Sequence, residues 1–310
     1  MSPPPDLPPV SGGGSEGLDG GRGSMVSPPP PEAGGRTGGG RLWRGQHLGL
    51  LALASAAAAA WLVPYAWMVV TSFKTLPEIV AHPTAPLPEH LDLGAYREVF
   101  ATLPVARYMG ITIFMAVAIA GLQIMLALPA GYALAKLHFV GKRFAFGVVL
   151  ACLLVPAQAT FVPVFLMFAK TGAIDTMTAL VLPFAASALG TFLVRQALLS
   201  VPDEIIEAAR MDGASELSIV YRVLAPMLKP TLVSLFLVSF VFHYNDYFWP
   251  LVMTTDDSVR TLPLAVTLIR EPGTGIRWHL VMAANVILSL PVLALFAVAQ
   301  RHLLRATRGG

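Results

Sequence analysis

The chain has 310 residues, of which 55% are hydrophobic and 13% are charged, and its formal net charge at pH 7 is +3. Soluble domains carry about 25% charged residues, so this composition indicates a protein that is embedded in a membrane. The small net charge argues against a nucleic-acid-binding protein, and the single cysteine, Cys152, excludes a disulfide within the chain.

Residues 1–46 consist mainly of proline, glycine and serine with a few charges. Such a segment buries too little apolar surface to offset the entropy lost on ordering, so we predict a disordered tail. The remainder, residues 47–310, is predicted to form one membrane domain. A cleaved signal peptide over residues 48–62 is the alternative for the first apolar run, but that run is long and 46 residues precede it.

Six stretches of the chain contain at most one charged side chain each. A helix rises about 1.5 Å per residue and the hydrocarbon core is about 30 Å thick, so roughly 20 residues cross it. Each stretch is near or above that length. We therefore predict an all-α, polytopic membrane protein with six transmembrane helices, over residues 45–73, 108–135, 144–169, 176–194, 231–253 and 278–300.

The positions of the basic residues predict the orientation. If the amino terminus is cytoplasmic, 14 of the 21 lysines and arginines lie on the cytoplasmic side. Cytoplasmic segments carry the excess of basic residues in membrane proteins. Both termini and the tail are therefore predicted to be cytoplasmic.

The loop of residues 195–230, between the fourth and fifth predicted helices, is the longest on the cytoplasmic side and contains a charged run, "EAARMDGASELSIVYRVLAPMLKP". It predicts a first short helix capped by Ser200 and ending near Met211, a turn at Gly213, and a second helix capped by Asp212. Four residues at helical spacing give the second helix its apolar face: Leu217, Val220, Tyr221 and Leu224. An amphipathic loop that lies on the membrane surface is the alternative.

This run resembles the EAA motif of ATP-binding-cassette (ABC) importer permeases. Four other stretches resemble the maltose-transporter type of carbohydrate permease, the binding-protein-dependent inner-membrane component, in the same order and spacing. They are "GYALAKLHFVGKR" (131–143), "VPAQATFVPVFLM" (155–167), "FLVRQALLSVPDEIIEAARMDGAS" (192–215) and "HYNDYFWPLV" (243–252). The resemblance covers residues 45–305.

The resemblance implies a transport mechanism in which an EAA coupling helix sits in a cleft of a separate ATPase subunit and moves when ATP closes the ATPase dimer. The expected partners are two ABC ATPase subunits, a second permease subunit of a different chain, an extracytoplasmic sugar-binding protein and the lipid bilayer of a prokaryotic plasma membrane. Nucleic acid is not expected as a partner. The residues assigned to ATPase coupling are Glu207, Ala208, Ala209, Asp212, Gly213 and Pro226.

No catalytic site is expected in this chain. It contains no G-x-x-x-x-G-K-[ST] phosphate-binding loop, no H-E-x-x-H and no G-x-S-x-G. We therefore expect no bound cofactor or metal, and we expect that partner subunits use the ATP.

Asp246 is the one acidic residue within a predicted span, and Asn245 precedes it. Ionisable residues inside membranes are functional candidates, so both are assigned to a translocation path or gate. Anchoring at the outer interface, among neighbouring aromatic residues, is the alternative.

The loop of residues 254–277 is long for a connection between two helices. The resemblance favours contact with the binding protein there, and the assigned residues are Asp256, Asp257, Arg270 and Glu271. A simple connector is the alternative.

The predicted function is that of a transmembrane permease subunit of a binding-protein-dependent sugar importer that works by alternating access. A secondary transporter or channel that acts without an ATPase is the alternative, but it would place charges within several spans. A membrane anchor that transports nothing would leave the EAA spacing unexplained.

Overall fold

The computed structural model describes residues 39–269 and 276–307, and the secondary structure in these ranges is helical, with no strand. The chain divides into two compact units, Met1–Ala58 and Ala59–Gly310. The first unit is described only from residue 39, where a helix begins, so most of the predicted tail lies outside the described residues.

The second unit contains the elements that position the candidate site. The described helices, in chain order, are α1 (Gly39–Thr71), α2 (Leu76–Ala81), α3 (Gly94–Thr102), α4 (Val105–Lys136), α5 (Lys142–Leu154), α6 (Ala157–Lys170), α7 (Met177–Val181), α8 (Ala188–Leu199), α9 (Asp203–Met211), α10 (Glu216–Ser218), α11 (Ala225–Met227), α12 (Lys229–Tyr244), α13 (Phe248–Met253), α14 (Leu262–Thr267) and α15 (Trp278–Thr307). A 3₁₀ turn, Leu182–Phe184, follows α7, and a π-helical turn, Ile219–Leu224, joins α10 to α11.

Three described helices are long and apolar enough to cross a membrane alone: α4, α1 over Leu53–Thr71, and α15 over Trp278–Ala299. Three helix pairs reach that length only together, and each is bent by more than 40° at a short break. These pairs are α5 with α6, the α7 segment with α8, and the α10–α11 segment with α12. The described residues therefore hold three to six spans, the larger number if each bent pair is one span.

Three predicted spans are interrupted in the structure. The fourth, expected over residues 176–194, bends by 42° between Phe184 and Ala188. The third, expected to be one helix over residues 144–169, breaks at Val155 and Pro156, because proline lacks an N–H donor and favours extended backbone in the residue before it. The fifth, expected over residues 231–253, ends its first helix at Tyr244 and resumes at Phe248.

Helix α4 is the centre of the fold and packs most extensively against α8 and α12. It approaches α8 closely at Gly131, where an added Cβ atom would lie 2.7 Å from Cγ1 of Val194. Around this contact lies a cluster of buried apolar side chains that α4, α8, α12 and the intervening loop all supply. This cluster is the platform on which the charged loop between α8 and α12 rests.

Candidate functional site

Helix α9 carries the first half of the charged loop. Pro202 precedes it, and Asp203 and Glu204 lie in its first turn, where acidic side chains favour the positive end of the helix dipole. Ser200 does not cap this helix as the sequence suggested: its hydroxyl donates to the carbonyl oxygen of Ala197, at the end of α8, 2.7 Å away. The predicted end at Met211 is confirmed.

Helix α9 has one buried and one exposed face. Ile206 is buried in the platform, and Ala209 packs against it from the edge. Glu207, Ala208 and Met211 are exposed, and the side chain of Met211 is among the most exposed apolar side chains described, at 88%. Two of the predicted coupling residues, Glu207 and Ala208, therefore lie on a surface that is open to a partner.

Gly213 ends α9 in a Schellman motif. The N–H of Ala214 donates to the carbonyl oxygen of Ala209 and that of Gly213 to the carbonyl oxygen of Arg210, each over 3.0 Å. The φ angle of Gly213 is +80°, and a Cβ atom there would meet nothing within 4 Å. Glycine is needed at this position for its backbone conformation and not for space.

The second helix begins at Glu216, with Ser215 as its cap, since the N–H of Ser218 donates to the Ser215 hydroxyl over 3.3 Å. The prediction that Asp212 caps this helix is therefore wrong: Asp212 is the C-cap of the first helix, and its N–H donates to the carbonyl oxygen of Ala208. Both residue types cap helices well, so spacing alone did not distinguish them.

The buried face of the second helix differs in part from the predicted one. Val220 and Leu224 are buried in the platform as expected, together with Ile219. Leu217 is instead 63% exposed. Leu217 is thus a second large exposed apolar side chain of the loop, after Met211. The predicted coupling residue Pro226 lies apart from that surface in sequence, in α11, just before the bend at Leu228.

A polar network attaches the loop to α4. The Tyr132 hydroxyl donates to Oε2 of Glu216 over 2.5 Å and accepts a hydrogen bond from Nη2 of Arg210 over 3.0 Å. Nε of Arg210 donates to Oε1 of Glu216 over 2.8 Å. One residue from each half of the loop and one from α4 therefore form a closed triangle.

A second attachment lies one turn further along α4. Nζ of Lys136 donates to the carbonyl oxygen of Val201 and to Oδ1 of Asp203, each over 2.6 Å. The hydrogen bond and the charge of Lys136 hold the pKa of the Asp203 carboxyl below its ordinary value. No sequence pattern indicated either attachment to α4, because the loop residues lie more than 60 positions from Tyr132 and Lys136.

The break in the predicted fifth span contains the candidate path residues. Oδ1 of Asp246 accepts hydrogen bonds from the N–H groups of Phe248 and Trp249, over 2.9 and 3.3 Å, so this carboxylate caps α13. Asn245 is exposed, and its amide donates to the carbonyl oxygen of Val241 over 2.8 Å. Both residues line a cavity of about 360 Å³, whose other lining side chains are apolar or aromatic.

The predicted binding-protein residues are engaged within the chain where the structure describes them. Asp256 accepts hydrogen bonds from the N–H and the hydroxyl of Ser258. Asp257 forms an ion pair with Arg260. The other two predicted residues, Arg270 and Glu271, lie outside the described residues.

Asp175 is a residue that sequence reasoning missed. It has a φ angle of +62°, which is rare for a residue with a side chain. Its carboxylate accepts hydrogen bonds from the hydroxyl of Thr255 over 2.6 Å and from the N–H groups of Thr255 and Asp256 over 2.5 and 3.1 Å. These bonds, the Thr255 hydroxyl first among them, hold the pKa of Asp175 below its ordinary value. Asp175 thereby fixes the segment of residues 254–258.

Nothing in the described ranges suggests a metal centre, because no three His, Cys, Asp or Glu side chains lie where they could share an ion.

Comparison with known proteins identifies the family. Residues 123–309, which include the charged loop and the span break, match the model of the binding-protein-dependent transport system inner membrane component. The chain belongs to this family. It is therefore a membrane-embedded permease subunit of an ABC transport system, a transport component and not an enzyme.

Permease subunits of two bacteria are similar in sequence. The sn-glycerol-3-phosphate transport system permease protein UgpE of Yersinia enterocolitica is 32% identical over 192 residues, which cover 62% of this chain and 68% of that one. The arabinooligosaccharides transport system permease protein AraQ of Halalkalibacterium halodurans is 29% identical over 204 residues, covering 66% of this chain and 73% of that one.

A solved structure shares the permease fold. A chain of a bacterial ABC transporter involved in the import of the acidic polysaccharide alginate superposes with a TM-score of 0.72 at 24% identity. The superposition covers 83% of this chain and 96% of that chain. This likeness extends the family assignment from sequence to architecture.

Proposed function

We propose that this permease imports a sugar and that the exposed surface of the charged loop is where a separate ATPase subunit docks. We call this surface the coupling face and define it by Glu207, Ala208, Met211 and Leu217. The observation that carries the proposal is the contrast within one short loop: the buried face is fixed to α4, and the opposite face exposes two large apolar side chains.

The chemistry of the coupling face suits a protein partner. Methionine adapts its shape to an opposing surface, and Ala208 leaves room for close approach. Glu207 makes no hydrogen bond or ion pair with the described part of the chain, so its charge is available to a basic group on the partner. Exposed apolar side chains rimmed by polar ones are typical of an interaction site.

The attachments to α4 connect the proposed docking surface to the membrane-spanning helices. A force that reaches α9 is passed to α4 through the Arg210–Glu216–Tyr132 triangle and through Asp203 and Lys136. The buried platform passes it to α8 and α12. ATP binding in the partner thereby moves spanning helices in this chain.

The rest of the assembly follows from the family. We infer two ATPase subunits, a second permease of a different sequence, and an extracytoplasmic binding protein in a prokaryotic plasma membrane. Both termini and the coupling face are cytoplasmic in this proposal, as the distribution of basic residues favours. The segment of residues 254–269 then lies outside, where Asp256 and Asp257 meet the binding protein.

The sugar itself is inferred as a class. Of the two relatives, one is named for arabinooligosaccharides and one for sn-glycerol 3-phosphate, a phosphorylated polyol.

We assign the path or gate to Asn245 and Asp246, because they lie where the helix is interrupted and a cavity opens. Irregular backbone at membrane depth is tolerated only where protein or a water-filled cavity satisfies it.

Co-purification tests the proposed docking. The tagged chain, expressed with its cognate ATPase, should bring down the ATPase, whereas Glu207→Lys and Met211→Asp should lose it and lose uptake while remaining in the membrane. The matched control is Glu89→Lys, which makes the same charge change at an exposed carboxylate remote in sequence from the coupling face.

The outcome separates the alternatives. A natural chain that transports sugar with no ATPase bound would indicate a transporter or channel that works alone. Retention of the ATPase and of normal uptake by both coupling-face variants would place the docking surface elsewhere.

A further inference from the structure

Gln123 is a buried carboxamide deep within the membrane-spanning helix α4. It lies about 27 Å along the helix from the first residue of α4 and about 20 Å from the last. The apolar stretch of residues 108–135 that surrounds it contains no other carboxamide and no charged side chain. A polar group at this depth must find its hydrogen-bond partners within the protein.

The first partner of Gln123 is a carbonyl group that the bend of the fourth span leaves free. In an unbroken helix, the carbonyl oxygen of Phe184 would accept a hydrogen bond from the N–H of Ala188. Here α8 begins anew at Ala188, because Ser187 adopts extended backbone and caps it. Nε2 of Gln123 donates to the Phe184 carbonyl oxygen instead, over 2.9 Å. The amide thereby attaches the bend to α4.

The second partner is His243, in the last turn of α12. Its buried ring places Nε2 at 3.4 Å from Nε2 of Gln123, at the long end of the hydrogen-bond range. Because a carbonyl oxygen only accepts, the amide nitrogen of Gln123 is the atom that faces Phe184, and this nitrogen carries two hydrogens. The second hydrogen is available to His243, whose Nε2 then accepts it as part of a neutral imidazole.

Phe184 contacts both sides of the break in the fifth span. The centroid of its ring lies 4.8 Å from that of His243 in α12 and 5.1 Å from that of Trp249 in α13. Phe184 also lines the cavity of about 360 Å³ that contains Asp246, whereas Gln123 is not part of that lining. Gln123 therefore links a residue of the cavity wall to both α4 and α12.

We propose that Gln123 is a positioning residue for transport. Its amide joins the bend of the fourth span to α12, so that the two interrupted spans move together when the ATPase moves α12. Gln123 contacts no substrate and acts through Phe184. Satisfying the Phe184 carbonyl takes one amide hydrogen, and the second hydrogen supplies the link to α12. This inference rests on the proposed function, in which the coupling loop moves α12.

The transport test uses the complete transporter in proteoliposomes, with ATP and the cognate binding protein. The panel of probes is arabinotriose, maltotriose and sn-glycerol 3-phosphate, and the readout is the number of molecules imported per ATP hydrolysed. Gln123→Met keeps the length of the side chain and removes both donors. This variant should still hydrolyse ATP but import about fivefold fewer molecules per ATP, the effect of roughly one hydrogen bond on the equilibrium between joined and separated spans.

Two substitutions of His243 test the link to α12. His243→Gln offers an amide oxygen near the position of Nε2 and should keep the natural ratio, whereas His243→Leu offers no acceptor and should lower it as Gln123→Met does. The double variant Gln123→Met/His243→Leu should lower the ratio no further than either single change, because both remove the same contact. A natural ratio in His243→Leu would show that the amide serves the bend alone, and would overturn the proposal.

The matched control is Gln196→Met, the same change at an exposed glutamine of α8, which should keep the natural ratio. Melting temperatures of the purified complexes separate positioning from stability. If Gln123→Met lowers the melting temperature and leaves the ratio unchanged, Gln123 has only a structural role and the proposal is wrong. If the natural transporter imports none of the probes at the expense of ATP, the proposed function itself is contradicted.

Discussion

The charged loop of residues 195–230, which we call the coupling loop after its proposed role, and the segment of residues 254–260 are both charged, and both are attached to the rest of the chain by polar contacts. They use their acids in opposite ways. In the coupling loop Asp203 and Glu216 hold the loop in place, whereas Glu207 is exposed and forms no ion pair with the described residues. In the other segment the described acids, Asp256 and Asp257, are both engaged internally.

The difference teaches that charge in a loop does not by itself indicate a docking surface. What distinguishes the coupling loop is the exposure of Met211 and Leu217, together with a carboxylate, Glu207, that has no ion pair within the described residues, on a loop whose other face is buried. In the segment of residues 254–260, Asp175 binds Thr255 and Asp256, Val259 packs on a buried apolar cluster, and no large apolar side chain of the segment is exposed.

The largest effect is expected beneath the coupling loop, at Gly131→Ala. The added methyl group would lie 2.7 Å from Cγ1 of Val194 and 3.0 Å from the backbone nitrogen of Arg195, so α4 and α8 must separate. Overpacking of this kind lowers the free energy of unfolding by about 1–3 kcal/mol. Thermal unfolding of the purified chain in detergent measures it. The control is Gly121→Ala in the same helix, where an added Cβ atom meets nothing within 4 Å; equal melting temperatures would contradict the close approach.

The next effect separates backbone conformation from space at the turn of the loop. Gly213→Val should strain the left-handed backbone by about 1–2 kcal/mol and reduce sugar uptake. Gly213→Asn should retain most of the uptake, because asparagine adopts this conformation more readily. Transport assays on both variants at equal membrane content decide the matter: if valine and asparagine behave alike, the positive φ angle is not what the loop requires.

A smaller effect is expected when the triangle loses one hydroxyl. Tyr132→Phe removes the group that joins Arg210 and Glu216 to α4, at a net loss of about 1 kcal/mol. Local opening of the loop should then be about fivefold more frequent, which protease cleavage within residues 203–216 would report. Tyr108→Phe is the control, since this buried tyrosine of α4 donates no side-chain hydrogen bond within the described residues. Similar cleavage in both variants would show that the triangle does not hold the loop.

The smallest effect concerns Asp175 and pH. Its folded-state pKa is lowered, so its contribution to stability is present above the ordinary value of 3.8 and is lost as the pH falls through the lower folded value. Amide exchange at Thr255 and Asp256 should accelerate in that acidic range relative to the Asp175→Asn variant measured at the same pH. Because these contacts are exposed to solvent, the change should not exceed about fivefold. If the natural protein and the Asp175→Asn variant show the same amide exchange rates at every pH, Asp175 does not have this role.

The sequence predicted much of the coupling loop. Its charges interrupt an apolar chain, its first helix ends at Met211 as expected, and Gly213 occupies the turn. Each of these features depends on residues close together in the chain, so the sequence pattern is enough to predict it. The attachment through Tyr132 and Lys136 could not be predicted, because it depends on how α4 lies beneath the loop.

The interruptions of the spans were harder to predict, because the sequence does not show which prolines break a helix and which lie within one. Pro129, Pro163 and Pro291 lie inside helices, whereas Pro156 marks a break. Neighbouring helices and side chains can satisfy the carbonyl that a proline leaves free, so the outcome depends on the surroundings. The break before Phe248 contains no proline, and the Asp246 cap that restarts the helix there is equally typical of a loop.

The 86° bend at Leu228 joins two helical segments that can act as the two arms of a lever. One arm, Glu216–Met227, is about 18 Å long, and the other, Lys229–Tyr244, is about 24 Å long. If Leu228 is the pivot, a displacement applied at the end of the first arm and perpendicular to it moves the far end of α12. The displacement there is larger by roughly a third, because the second arm is longer by that amount. That far end carries Asn245 and Asp246, which line a cavity. In the function proposed above, a small displacement at the ATPase therefore becomes a larger displacement at these residues.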